Sequence, residues 1–268
     1  MTSEAPATTI EAPAEWKDYD DFSAGIDANR LPRTDRLAGS TFGITLVSGR
    51  RFSLSFTGAS TLGVTEGGVA DTGWYEAVQV DPVTYFIDTT RAGAPKVAET
   101  LIVNSQSRRV LSVRGEVRPH GAFPGEPRVA QDWVAGVLDG GPASGIEPHE
   151  TRDLIGLRTF NDYSPNHTYE HIYLSSTRYA WQNLVGVQRG HGDVDLATYF
   201  KFADNQYVFG FREFIIPVAS VFFHNWNDMR STGKFLGETA DGEIENRPAG
   251  AFIRKASMTF YAKGQEPV

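Results

Sequence analysis

Along residues 50–56 apolar and polar positions alternate: Phe52, Leu54 and Phe56 are apolar, Arg51, Ser53 and Ser55 polar. A period of two sends successive side chains to opposite faces of an extended chain, so this stretch predicts a half-buried strand. WYEAVQV (74–80), VTYFIDT (83–89), ETLIVNS (99–105) and RVLSVRGEV (109–117) repeat the pattern, with Gly, Pro, Asn and Asp turns between them. Residues 34–118 therefore read as an antiparallel meander. Residues 119–149 are dense in Gly and Pro and read as a linker, with a short helical piece over 129–138. Strands then resume in IGLRTFNDY (155–163), HTYEHIYLS (167–175), RYAWQNLVGV (178–187), LATYFKF (196–202), QYVFGFREF (206–214), ASVFFHNW (219–226) and AFIRKASMTFYA (251–262), within a second unit over 150–263.

The two units look like copies. TLIVNSQSRR (100–109) and VFFHNWNDMR (221–230) share an apolar run, an Asn and a closing Arg. VDPVTYFID (80–88) and FADNQYVFG (202–210) precede them in the same order. Meanders of this length close into barrels, because closure removes exposed edges. The predicted fold is all-β: two tandem antiparallel β-barrels joined by a Gly/Pro-rich linker. Small barrels of this kind can enclose one ligand.

Residues 1–30 carry most of the net charge of −8: Glu4, Glu11, Glu15, Asp18, Asp20, Asp21 and Asp27 stand against Lys17 and Arg30. They read as an acidic flexible tail in which Trp16, Tyr19 and Phe22 could clip onto the body. The remainder is close to neutral, which argues against nucleic acid as a partner. With no Cys in the chain, thiolate catalysis, thiolate metal sites and disulfides are excluded. The N-terminus lacks a basic region followed by an apolar core, and no apolar run reaches about 20 residues, so neither a signal peptide nor a membrane span is expected and a cytoplasmic location is. The sequence leaves the oligomeric state open, a homo-oligomer included.

The candidate chemistry lies in the second half. Tyr179, Trp181 and Asn183 share one strand face, and Tyr199 shares another with Lys201. Arg212 and Glu213 point to opposite sides of a regular strand. Aromatic walls with a few converging polar groups describe a small-molecule site, for which Glu213, Arg212 and Tyr179 are the candidate catalytic residues. Trp181, Tyr199, Lys201, His171, Tyr173, His224 and Tyr207 are the candidate binding residues. A Glu among Phe and Tyr could move protons, and an Arg or Lys could hold a carboxylate or enolate. The alternative for each is a structural ion pair or a satisfied core polar group. HxH and HExxH spacings are missing, so no metal is expected; no Rossmann, Walker or GxSxG pattern appears, so no cofactor is expected either.

YSPNHTYEHIYLSSTRYAWQNLVGVQRG, YFKFADNQYVFGFREFIIP and MRSTGKFLG together resemble the C-terminal domain of the MoaF family. LAGSTFGITLVSGRRFSLSF, WYEAVQVDPVTYFIDTTRAG and ETLIVNSQSRRVLSV resemble its N-terminal domain. The resemblance implies two lipocalin-like barrels, related in shape to phenolic acid decarboxylases. GHGDVD (190–195) and Phe211 depart from the family pattern near the expected pocket. The functions it leaves open are a cofactor-independent lyase, isomerase or cyclase acting on an aromatic or polyketide-like metabolite, and a non-catalytic carrier of a small molecule such as a pterin or a molybdenum cofactor intermediate.

Overall fold

The computed structural model describes residues 17–268; Trp16 and the acids before it lie outside them. The first barrel comprises β1 (Thr41–Leu46), β2 (Arg51–Phe56), β3 (Thr61–Glu66), β4 (Val69–Gln79), β5 (Thr84–Arg91), β6 (Ala94–Asn104), β7 (Arg109–Val117) and β8 (Val129–Leu138). Each strand pairs antiparallel with the next, and β8 returns to β1 with Ile44 opposite Leu138. Strand β8 corrects the expected linker with its helical piece. The ten-residue VAQDWVAGVL lies between two Gly/Pro-rich flanks that hide it, yet without it the first barrel would have two open edges.

The second barrel follows a short β9 (His149–Glu150), which pairs on its outside. It comprises β10 (Leu157–Ser164), β11 (His167–Tyr173), β12 (Arg178–Val185), β13 (Gly192–Ala203), β14 (Gln206–Arg212), β15 (Val218–Asn225), β16 (Arg230–Glu238) and β17 (Ile244–Met258). Pairing of β10 with β17 and of β12 with β13 closes it. The barrels share one strand order and one turn. From Asn104 and from Asn225 the fourth residue onward, Arg108 or Met229, takes positive φ (64° and 53°), and an Arg opens the next strand. Asn104 Oδ1 accepts from the Gln106 and Ser107 amides and Asn225 Oδ1 from that of Asn227, an Asx turn in both copies.

The first barrel is filled. Ile44, Phe52, Leu54, Phe56, Tyr75, Ile87, Leu101 and Val110 occupy its middle. Arg50 and Arg91 meet Glu66 and Glu99 at one end, and Ser112 donates to Glu99 at 2.7 Å. The outer walls of the two barrels form a third core, with Val78, Phe86, Ile102 and Val113 against Phe200, Phe202, Val208 and Phe223. Trp133 of β8 stacks on Phe200, ring centroids 5.4 Å apart. Within this seam Lys234 is buried against Asp88.

Residues 17–33 are a strap rather than a loose tail. Asp18 caps a single helical turn, α1 (Tyr19–Ser23), accepting from the Asp21 amide at 3.0 Å. Tyr19, Phe22 and Ile26 are buried in the second barrel. Asn29 then bonds to Tyr163 and Asp162 backbone carbonyls, Arg30 pairs with Glu76 of the first barrel at 2.8 Å, and Arg33 bridges to Val78. No helix among the described residues is long and apolar enough to cross a membrane.

Candidate functional site

Alternation on five strands sends a dense set of rings into the second barrel: Tyr163 from β10, Tyr169, His171 and Tyr173 from β11, Tyr179 and Trp181 from β12, Tyr199 from β13, Phe209 and Phe211 from β14. They leave an internal cavity of about 30 Å³, lined by Tyr163, Tyr169, His171, Tyr179, Trp181, Gln188, Phe211, Glu213 and Phe235 and roofed by Phe22 and Ile26 of the strap. That holds about one water, so a larger guest requires the strap to move.

The roof is held at several points. The Tyr19 hydroxyl donates to the Phe235 carbonyl at 2.9 Å, and Phe22 packs edge-on against the Phe235 ring. Arg247 pairs with Asp20, bonds to Ser23 and lies over the Tyr19 ring at 4.8 Å. Gly237 makes the berth: a Cβ there would stand 2.8 Å from the Tyr19 ring. Phe22→Ala is expected to enlarge the cavity and create uptake of a neutral apolar fluorophore, at a cost of about 3–5 kcal/mol. Equal fluorophore uptake by the parent protein would show that the roof does not limit access.

Glu213 follows the last residue of β14 and turns inward, buried. Burial first, and then the carboxyls of Asp195 and Asp193, push its pKa well above the ordinary value. Asp195, also buried, accepts from Trp181 Nε1 at 2.9 Å; burial raises its pKa to about 6 against that hydrogen bond. Two neighbouring buried carboxyls cannot both ionise cheaply, so Glu213 holds its proton to higher pH than an ordinary carboxyl does. His171 and His224 are pushed down to about 3, chiefly by burial, and stay neutral. His171 Nδ1 lines up no hydrogen bond although it is buried. Below it Tyr173 Oη lies 3.2 Å from His224 Nε2, and His224 Nδ1 lies 3.1 Å from Ser231 Oγ. The cavity lining is therefore polar, with an acid, a neutral imidazole and phenols, and the Asp195 carboxylate stands behind it on Trp181.

Of the residues predicted for the site, Glu213, Tyr179, Trp181 and His171 line the cavity. Tyr173, Tyr199 and His224 are interior but deeper; Tyr199 stacks on Phe209 and donates to the Arg178 carbonyl. Arg212 is on the outer wall, bonded to Gln131 Oε1 and Thr198 Oγ1, because it alternates with Glu213. Lys201 and Tyr207 sit at the far end of the barrel, where both meet Asp153. The expectation that Arg212 or Lys201 steadies negative charge on the ligand is thus corrected: neither is among the cavity's lining residues. Asp195, Gln188, Tyr163 and Ile26 are absent from the sequence reading, which expects Tyr19 and Phe22 to clip onto the body without placing them at this cavity. Asp195 was legible, since continuing the alternation of Lys201, Tyr199 and Ala197 one step back lands on it; the glycines at 190 and 192 suggest a loop instead.

Two family models match the chain: the MoaF N-terminal domain over residues 14–119 and the MoaF C-terminal domain over residues 148–259. A curated relative, Protein MoaF of Klebsiella aerogenes, is 34% identical over 197 residues, covering 69% of this chain and 74% of its own. Among solved structures, one described as "Crystal Structure of a putative beta-lactamase from Burkholderia vietnamiensis" aligns over 40% of this chain and 100% of that one, at 14% identity and a TM-score of 0.34. The DNA polymerase III β chain from Streptococcus pneumoniae TIGR4 covers 87% and 82% at 8% identity and a TM-score of 0.12. At such TM-scores neither likeness carries an argument.

Proposed function

The chain belongs to the MoaF family, and on that premise we propose that its second barrel binds an uncharged aromatic or polyketide-like metabolite and moves a proton on it without a cofactor, as an isomerase, lyase or cyclase does. One observation carries the reading: a buried Glu213, whose pKa is pushed well above the usual carboxylate value, and His171, with an unpartnered ring nitrogen, line one cavity walled by rings. Glu213 donates its proton to a carbonyl oxygen of the guest, and the carboxylate so formed lets His171 Nδ1, by itself a weak base, accept a proton from the adjacent carbon, giving an enol and leaving a carboxylate and an imidazolium inside the barrel. Return of a proton to a different carbon completes an isomerisation; loss of a leaving group completes an elimination. Tyr179, Trp181 and Tyr169 clamp the ring system. The uncharged lining excludes a carboxylate-bearing guest, whose desolvation nothing inside would repay.

The closed roof also suits a carrier, which shields an unstable molecule without altering it. Native mass spectrometry of freshly purified protein tests both readings. A retained neutral molecule that converts on incubation supports the enzyme, one that persists unchanged supports the carrier, and a bound polyanion in the second barrel would refute the proposed guest.

A further inference from the structure

Outside the second barrel, away from its cavity, the strand register assembles a cluster of arginines. Leu196 of β13 is opposite Arg178 of β12 on one side and opposite Arg212 of β14 on the other. Both guanidinium groups therefore leave the same outer face, two strand spacings apart, about 10 Å at their backbones. A groove of about 400 Å³ opens there, with Leu196 in its floor and Arg212, Arg152, Ser176, Thr177 and Thr198 along it. The chain has an excess of acids, yet neither Arg178 nor Arg212 forms an ion pair among the described residues. Arg212 spends its donors on the neutral Gln131 and Thr198, at 3.3 and 3.1 Å. Arg178 lies over the Phe214 ring at 5.4 Å, and its Nη1 is buried with no partner. Arg152 bonds Ser176 Oγ at 2.6 Å and the Pro267 carbonyl.

Two half-buried like charges without a counterion are costly, and a planar guanidinium matches the paired oxygens of an oxyanion. The carboxyls nearby do not fill the need: Asp195 is turned inward to Trp181, and Glu150 lines the groove exposed. We propose that this groove is a second ligand site, which takes a phosphate monoester or a comparable small dianion on Arg212, with the Ser176, Thr177 and Thr198 hydroxyls completing its shell and Arg178, on the same outer face but outside the groove's lining, adding positive charge from beside it. Burial and the neighbouring Arg178 already hold the Arg212 guanidinium below its usual pKa, as an unfilled cation site requires. The proposal is independent of the interior site, which takes an uncharged guest.

Calorimetric titration of the full chain with phenyl phosphate, inorganic phosphate and benzoate at matched ionic strength tests it. Saturable binding of either phosphate, at least tenfold tighter than benzoate, is expected. Arg212→Gln and Arg178→Gln should each weaken it at least tenfold. Glu150→Gln should tighten it about two- to threefold by removing a repelling charge, an effect that a purely structural role for the arginines does not produce. Inorganic phosphate binding alone marks a free-ion site; phenyl phosphate binding more tightly marks an ester site. Absence of saturable phosphate binding to the parent protein overturns the proposal, as does binding untouched by both arginine variants. Thermal unfolding of each variant identifies one that fails to fold, and Glu150→Gln, at an exposed position, then carries the test.

Discussion

On the chemistry proposed above, Glu213→Gln is expected to lower turnover at least a hundredfold and at the same time to stabilise the protein at alkaline pH. The first effect follows from replacing the only carboxyl of the cavity lining by an amide of the same shape, which can hydrogen-bond a carbonyl oxygen but cannot give it a proton; general acid–base groups contribute about 10²–10⁴ in rate. The second follows from linkage. The folded Glu213 binds its proton well above the ordinary 4.5, so between those two values the folded state holds more protons than the unfolded one. Stability then falls as pH rises, by about 1.4 kcal/mol per pH unit, until the folded group ionises. Asp195 adds a like slope between 3.8 and about 6. His171 and His224 act in the opposite sense: each titrates at about 3 folded against 6.5 unfolded, so they contribute stability that is lost as pH falls through that window. The parent protein should therefore be most stable near pH 6.5, and Glu213→Gln should remove one falling slope from pH 4.5 upward, steepening the rise below 6.5 and flattening the fall above it. Unfolding temperature against pH for both proteins is the check; parallel curves from pH 6 to 9 would mean that Glu213 is ionised and paired, and the acid role fails with it.

Asp88→Ala should cost about 3–5 kcal/mol, the penalty for leaving one member of a buried ion pair without its partner. Asp88 on the outer wall of β5 accepts from Lys234 of β16 and Asn246 of β17. Burial pushes the Asp88 pKa up and that of Lys234 down, so each charge is stable in the seam because of the other. Removing the carboxylate leaves an ammonium between two apolar walls. The double variant Asp88→Leu/Lys234→Met removes both charges and should lose much less than Asp88→Ala alone, since a buried pair replaced by hydrocarbon is often close to neutral. Denaturant unfolding of the three proteins decides it. A loss under about 1 kcal/mol for Asp88→Ala would show that water reaches the seam and that the pair does little to join the barrels.

The strands were legible because a period of two, as in RFSLSF, and a short apolar run between turns, as in TLIVN, are local signals. The duplication was legible because both copies keep an Asn at one turn and an Arg after it. Strand β8 was not, since its partners β1 and β7 are distant in sequence or across a Gly/Pro-rich loop, and closure is a property of the whole sheet. Glu213 and Tyr179 were found because charged or polar groups amid rings stand out. The outward turn of Arg212 followed from the same alternation once Glu213 was placed inside. Lys201 and Tyr207 share the interior face by parity, but parity says nothing of depth along the barrel, and both end at the far rim with Asp153. The docking of the tail was legible in the aromatic character of Tyr19 and Phe22, but where it docks was not: only tertiary contact tells that they and Ile26 enter a barrel more than a hundred residues away.

Because the same seventeen-residue ribbon both stoppers one barrel and is stitched to its neighbour through Arg30 and Arg33, admission of a guest and the stiffness of the joint between the halves share a single degree of freedom. A guest that uncorked the second barrel would slacken its tether to the first, and occupancy deep inside one half would then be felt, mechanically, at the seam with the other.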